Sequence, residues 1–266
     1  MTRVISGVVL IALAVSAVWL SPAWLFLVVA ELLLVLACHE FAGLARASDL
    51  PYPSVVATLA AGLVCASFAR VAFGGHAHVP LDVVLMTAAV GLGAMSLTSW
   101  RGGRDALASA AAALLPCLYL GLPIGAMVAI RETAGPKGLF LLMLTVMVSD
   151  SAQYYTGRAF GRRKLADIIS PKKTVEGAYG GFVGGALVLA IVGAWWLPTV
   201  PLALRLLLGV TVVALGIAGD LFESMLKRSA GVKDSSALIP GHGGVLDRID
   251  ALLFAAPIYY VVLLYV

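Results

Sequence analysis

Apolar runs long enough to cross a bilayer follow one another along this chain, separated only by short polar breaks. A spanning helix needs about 20 mostly apolar residues. Nine segments fit, at roughly 4–20, 23–45, 53–73, 81–99, 106–130, 138–156, 179–197, 201–222 and 248–266. The hydrocarbon interior offers no water to backbone N–H and C=O groups, so each segment must pair its own, as a helix does. The expected fold is therefore all-α: a polytopic membrane protein with about nine transmembrane helices. The chain is 61% hydrophobic and 12% charged, about half the charged share of a soluble domain. No long polar stretch is left over, so residues 1–266 are expected to form one integral membrane domain. Ser21-Pro22 is the only break between the first two segments. The opening segment lacks a small-residue cleavage site and reads as a retained helix. Cys38, Cys65 and Cys117 lie far apart in apolar segments and suggest neither a disulfide framework nor a zinc site.

Orientation follows from the basic residues. With the N-terminus cytoplasmic, the cytoplasmic side holds Arg3, Arg46, Arg101, Arg104, Arg158, Arg162, Arg163, Lys164, Lys172, Lys173, Lys227, Arg228, Lys233 and Arg248, 14 of the 18 Lys and Arg. Nine spans then leave the C-terminus outside. The net charge of +4 is a topology effect first and an attraction to anionic headgroups second.

Chemistry-bearing residues concentrate after about residue 145. Earlier ones are few: Glu31, His39, Glu40 and Asp82. Glu31 lies mid-segment and should face the protein interior. His39-Glu40 lies nearer the cytoplasmic end, where structural pairing or a headgroup contact suits it better than catalysis. The division expected is a scaffold with dimer contacts over 1–137 and catalytic helices and cytoplasmic loops over 138–266.

The densest polar stretch runs from Asp220 to Asp250. At about 100° per residue, Asp220, Glu223, Ser224, Lys227 and Arg228 share one helical face, opposite Leu221, Phe222, Met225 and Leu226. In lipid such charges must face a polar cavity or each other. Ser229 to Leu246 has loop composition, with Gly231, Gly241, Gly243, Gly244 and Pro240. Its glycines let backbone N–H groups approach a ligand. Asp247 and Asp250, three apart, lie on one face of the helix that follows.

Two upstream clusters fall on the same side. Asp150, Gln153, Tyr154 and Gly157 share a face, and Asp150 needs a cation, a metal or a wet cavity; a structural ion pair would serve as well. Arg162-Arg163-Lys164 reads as an ordinary cytoplasmic anchor. In Ser170-Pro171-Lys172-Lys173-Thr174, Ser170 suits a helix cap and Pro171 a first helical position. A helix start beside two lysines and Thr174 is a phosphate seat.

Carboxylates at 150, 220, 223, 247 and 250 suit Mg²⁺ rather than a soft metal. Carboxylate-held Mg²⁺ with lysines and arginines is the equipment of phosphoryl or nucleotidyl transfer. A site at the lipid surface suggests a lipid substrate.

At this point a resemblance is specific. Ser224-Met225-Leu226-Lys227-Arg228, Lys233-Asp234 and Pro240-Gly241-His242-Gly243-Gly244-Val245-Leu246-Asp247-Arg248-Ile249-Asp250 resemble the defining motif of the phosphatidate cytidylyltransferase (CDP-diacylglycerol synthase) family. Ser170 to Gly177 resembles that family's upstream motif, as does Asp150 with Tyr154 and Gly157. The resemblance implies that CTP and phosphatidic acid give CDP-diacylglycerol and pyrophosphate with Mg²⁺, in a homodimer of the bacterial inner membrane. A second metal or a monovalent cation beside Mg²⁺ stays open, and no nucleic-acid partner is expected. Metal-binding carboxylates correspond to Asp220 and Asp247, with Asp150 and Glu223 as further candidates. Asp220, Lys227, Arg228, Asp247 and Asp250 are the catalytic candidates. Substrate contacts are expected from Ser170, Lys172, Lys173, Thr174, Ser224, Lys233, Asp234, Gly243, Gly244 and Arg248. His242 suits either a phosphate contact or a structuring role in its loop.

The nearest rival is a CTP-dependent lipid-alcohol kinase, which would release CDP instead of pyrophosphate. A CDP-alcohol phosphotransferase would need an Asp-Gly-x-x-Ala-Arg opening that this chain lacks. A secondary transporter would show paired broken helices in two related halves, whereas the polar residues here cluster in one half.

Overall fold

The computed structural model describes residues 2–50, 52–74, 80–100, 102, 105–239, 241 and 243–266. Arg101, Arg104, Pro240 and the candidate ligand residue His242 lie outside the described residues. The chain forms α1 (Thr2–Leu20), α2 (Ala23–Ala47), α3 (Ser54–Ala66), α4 (Leu81–Ser99), α5 (Ala106–Pro116) and α6 (Leu122–Thr133), then α7 (Gly135–Phe160), α8 (Val175–Trp196), α9 (Leu202–Ser229) and α10 (Leu246–Leu264). α5 and α6 run on as one rod, joined by a π-helical turn at Cys117–Gly121. Pro116 has no N–H to give the regular ladder, and the wider turn follows it directly. Taken so, the described residues form nine helices, each overlapping one of the nine apolar segments.

Five of them are long and apolar enough to cross a membrane: Ala23–Ala47, Leu81–Thr98, Ala106–Thr133, Val175–Trp196 and Leu202–Ser229. Ser6–Leu20 and Ser54–Ala66 are shorter apolar helices. α7 carries Lys137, Asp150 and Arg158, and α10 opens with Asp247, Arg248 and Asp250, so neither is uniformly apolar. Large apolar side chains point outward, such as Val90 at 74% exposure and Leu107 at 84%. Side chains of that kind suit a lipid surround far better than water.

Third in order, the segment expected over 53–73 ends its helix at Ala66. The Ser67 hydroxyl turns back to donate to the Val64 carbonyl, and turns follow to Gly74. The Glu132 carboxylate then accepts the N–H groups of Val71 and Ala72.

Contacts sort the helix ends into two groups. At one end, Arg131 Nε donates to the Val18 carbonyl at 2.6 Å and Nη2 to that of Ser21 at 3.1 Å. The rings of Trp19, Phe140 and Trp196 meet there. At the other end, α2 meets the segment leading into α10, and the α7–α8 connection meets α9. That second end carries the polar residues. α7 packs along α8, α8 on α9 and α9 on α10. α9 and α10 touch main chain to main chain: a Cβ on Gly219 would lie 2.5 Å from the Asp250 carbonyl oxygen.

The α7–α8 connection departs from the expected helix start at Ser170. It is an antiparallel hairpin of β1 (Lys164–Ala166) and β2 (Ser170–Thr174), pairing Lys164 with Thr174 and Ala166 with Ser170. Lys164 Nζ holds the Pro171 carbonyl at 2.6 Å. Glu176 accepts the N–H groups of Arg162 and Arg163 and pairs with the Arg163 guanidinium at 3.3 Å. These contacts keep Ser170 and Pro171 extended. Thr174 caps α8 instead, its hydroxyl accepting the Gly177 N–H at 3.1 Å.

Candidate active site

A cavity of about 660 Å³ opens at the polar end, between the hairpin and the ends of α7, α9 and α10. From α7 it takes Asp150, Gln153, Tyr154, Gly157 and Arg158; from the hairpin, Ser170 to Thr174; from α9, Asp220, Lys227 and Arg228. Gly177 and Ala178 of α8 and Lys233, Asp234, Asp247, Arg248 and Asp250 complete the lining. Residues separated by 100 positions in sequence thus share one polar chamber.

The helical face read on α9 is real, and it is layered. Asp220 faces the cavity, bridged to Lys173 of β2 at 2.6 Å. Ser224 stands behind it and donates to Asp220 Oδ1 at 3.3 Å. Lys227, 8% exposed, joins Glu223 of α9 to Asp247 of α10, with Nζ 2.5 Å from Asp247 Oδ1. Glu223 is fully buried, and neither of its oxygens has a hydrogen-bond donor besides this ion contact. One ammonium offsets two carboxylates only in part, and the backbone and hydroxyl donors on Asp247 support the charge that remains.

Asp247 is the hub. Its Oδ2 accepts the Ser235 N–H at 3.0 Å, the Ser235 hydroxyl at 2.8 Å and the Gly244 N–H at 2.8 Å. With Lys227 on Oδ1, the carboxylate faces four donor groups, of which the Ser235 hydroxyl divides its one proton between Asp247 and Glu40. Gly243 and Gly244 make room for it. Gly243 has φ +77°, and a Cβ there would lie 2.7 Å from Asp247 Oδ2. A Cβ on Gly244 would overlap the Ser235 hydroxyl and the Glu40 carboxylate. Gly244→Ala is therefore expected to cost about 1–3 kcal/mol of stability by overpacking, read as a lower melting temperature in detergent, and to depress turnover.

Asp150, Asp220 and Asp250 sit near enough to repel one another. Their oxygens are hard donors; Lys173 pairs with Asp220, while Gln153 donates to Asp150 at 3.1 Å and the Ala251 N–H to Asp250 at 2.8 Å. Among the described residues no three carboxylates converge into a ready-made metal cage. Mg²⁺ needs none, since it keeps several waters and takes one or two carboxylates plus substrate phosphates; the donor set fits that ion. Lys172, Lys233 and Arg248 line the cavity without an ion-pair partner among the described residues, poised for an anion.

Of the predicted site residues, Asp150, Ser170, Lys172, Lys173, Thr174, Asp220, Lys227, Arg228, Lys233, Asp234, Asp247, Arg248 and Asp250 share the cavity. Ser224, Glu223, Gly243 and Gly244 lie behind its lining. Arg228 also donates to the Val232 carbonyl at 3.1 Å, closing the end of α9. Ser235, which bridges toward Asp247, was not singled out in the sequence; Glu40, for which structural pairing or a headgroup contact was expected, makes the structural pairing and is 3% exposed against the signature segment. The one signal was that an acid in an apolar helix must find donors.

Residues 1–266 match the Cytidylyltransferase family. The chain is 50% identical over 130 residues to a phosphatidate cytidylyltransferase of Haemophilus influenzae, covering 46% of this chain and 45% of that protein. It is 34% identical over 188 residues to one of Thermotoga maritima, covering 69% and 68%. It is 31% identical over 280 residues to the chloroplastic phosphatidate cytidylyltransferase 5 of Arabidopsis thaliana, covering 94% and 68%. Across these relatives the chain spans 45% to 68% of their length. With its whole length matched and its signature residues gathered in one chamber, the chain belongs to the cytidylyltransferase family.

Proposed function

We propose that the chain transfers a cytidylyl group from CTP to phosphatidic acid, giving CDP-diacylglycerol and pyrophosphate for phospholipid biosynthesis. The observation that carries this reading is the cavity where Lys172, Lys233 and Arg248 face Asp150, Asp220 and Asp250. The names of the relatives supply the substrate class. In this reading all nine helices span a bacterial inner membrane, with the N-terminus cytoplasmic and the C-terminus outside. The distribution of Lys and Arg supports that orientation. The homodimer belongs to the same reading, on the strength of the family resemblance.

The barrier to this reaction is mainly charge. A phosphate monoester has a second pKa of about 6, so phosphatidate arrives largely as a dianion and needs no strong general base. Its oxygen attacks the α-phosphorus of CTP in line. A new P–O bond forms as the bond to the bridging oxygen of the β-phosphate breaks, and pyrophosphate leaves with the electron pair. Lys172, Lys173, Lys233 and Arg248 hold the triphosphate and stabilise the leaving group. Lys227, tied to Asp247, keeps that carboxylate aimed at the cavity. Asp220 and Asp247 would hold Mg²⁺, with Asp150 on the same wall and Glu223 behind. The ion, when bound, supplies neutralisation of phosphate charge.

Purified protein with CTP, Mg²⁺ and phosphatidate is expected to release pyrophosphate and CDP-diacylglycerol in equal amounts, and to stop when EDTA is added. Release of CDP would identify a lipid kinase. No metal-dependent consumption of CTP would defeat both readings and favour a transporter.

A further inference from the structure

Glu40 touches nothing in the cavity, yet it organises the segment that builds one wall. It sits near the C-terminal end of α2, and among the described residues its four hydrogen-bond partners come from a stretch about 200 residues later. The Ser235 hydroxyl lies at 2.9 Å, that of Ser236 at 2.7 Å, the Val245 N–H at 2.9 Å and the Leu246 N–H at 2.8 Å. Val245 and Leu246 begin α10, which has no side-chain cap of its own. A carboxylate from another helix thus supplies the missing cap and meets the positive end of the helix dipole. The Ser235 hydroxyl stands between two acids, 2.9 Å from Glu40 and 2.8 Å from Asp247. It has one proton to donate, so the geometry of each carboxylate constrains the other.

We infer that Glu40 is a positioning residue for the transfer: it fixes Ser235, Ser236, Val245 and Leu246, and through them the aim of Asp247 and Lys227. The inference rests on the proposed reaction. It assigns to the first helices a task inside the active site, where the sequence suggested scaffold alone.

The test compares Glu40→Gln, Glu40→Asp and Ser236→Ala in detergent-purified full-length protein, by steady-state kinetics and by amide hydrogen exchange. Glu40→Gln is expected to lower kcat on the order of 10²-fold, the scale set by displacing reacting groups about 1 Å. The KM for CTP stays within about threefold, as for an interaction that acts in the transition state. Exchange rises at the Val245 and Leu246 amides and not in distant helices. Glu40→Asp, which keeps the charge, recovers part of kcat. Ser236→Ala loses less, and its effect is non-additive with Glu40→Gln. A folded Glu40→Gln protein within about threefold of the parent kcat, an Asp variant no better than Gln, or unchanged exchange at those two amides would overturn the inference. Should Glu40→Gln fail to fold, Ser236→Ala decides: unchanged kcat with unchanged exchange overturns it. A parent protein that makes no CDP-diacylglycerol sinks the proposed reaction instead, and the exchange arm still reports on the clamp.

Discussion

Asp247→Asn is expected to abolish cytidylyl transfer, with a loss of at least about 10²-fold, the scale of removing one preorganised electrostatic group from an active site. Two consequences of one atom change add up. The proposed Mg²⁺ loses an anionic ligand. The hub also loses its match to its surroundings, because Asp247 receives four donors and offers none. An asparagine must turn its NH₂ toward either Lys227 or the Ser235 and Gly244 amides, and either choice sets donor against donor. A stability loss of about 1–3 kcal/mol is expected for the group left unsatisfied. Detergent melting curves at matched concentration separate it from the catalytic loss. A folded variant keeping more than about a tenth of the parent rate, a barrier change under about 1.4 kcal/mol, would remove Asp247 from the catalytic role.

Lys227→Met should be nearly as severe, for a different reason. The ammonium is the shared counter-charge of two carboxylates on neighbouring helices. Without it Glu223, fully buried, and Asp247 face each other uncompensated. Breaking a buried ion pair from one side typically costs about 3–5 kcal/mol, so the single variant should melt early or fail to accumulate. Adding Glu223→Leu removes one stranded charge and should restore much of the stability while activity stays lost. If instead the double variant recovers turnover, Lys227 serves only to balance Glu223, and its place in the proposed mechanism falls.

The helices among the described residues were legible because most are long apolar runs, and five of them are long and apolar enough to cross a membrane. Their ends were less so. The third run continues past Ala66 to Ala72 with only Ser67 and Arg70 breaking it, but the Glu132 carboxylate captures the amides of Val71 and Ala72. Ser170-Pro171 carries the local marks of a helix start. The cap is Thr174, because contacts of Lys164 and Glu176 hold Ser170 and Pro171 in a hairpin. The charged face of α9 could be read from a wheel, since its members lie within two turns. Glu40 could not: its partners lie 195 to 206 residues away, and no period in the sequence links them.

The meeting of Gly219 with the Asp250 carbonyl has a mechanical outcome. Asp220 follows that junction by one residue, and Asp250 is the other party to it. The spacing of the two acids' main chains is thus set by this contact, and the side chains start from fixed points. Heating or repacking the lipid-facing sides of α9 and α10 should leave that spacing nearly constant. A bulkier residue at 219 would widen it at once, like a shim driven into a hinge.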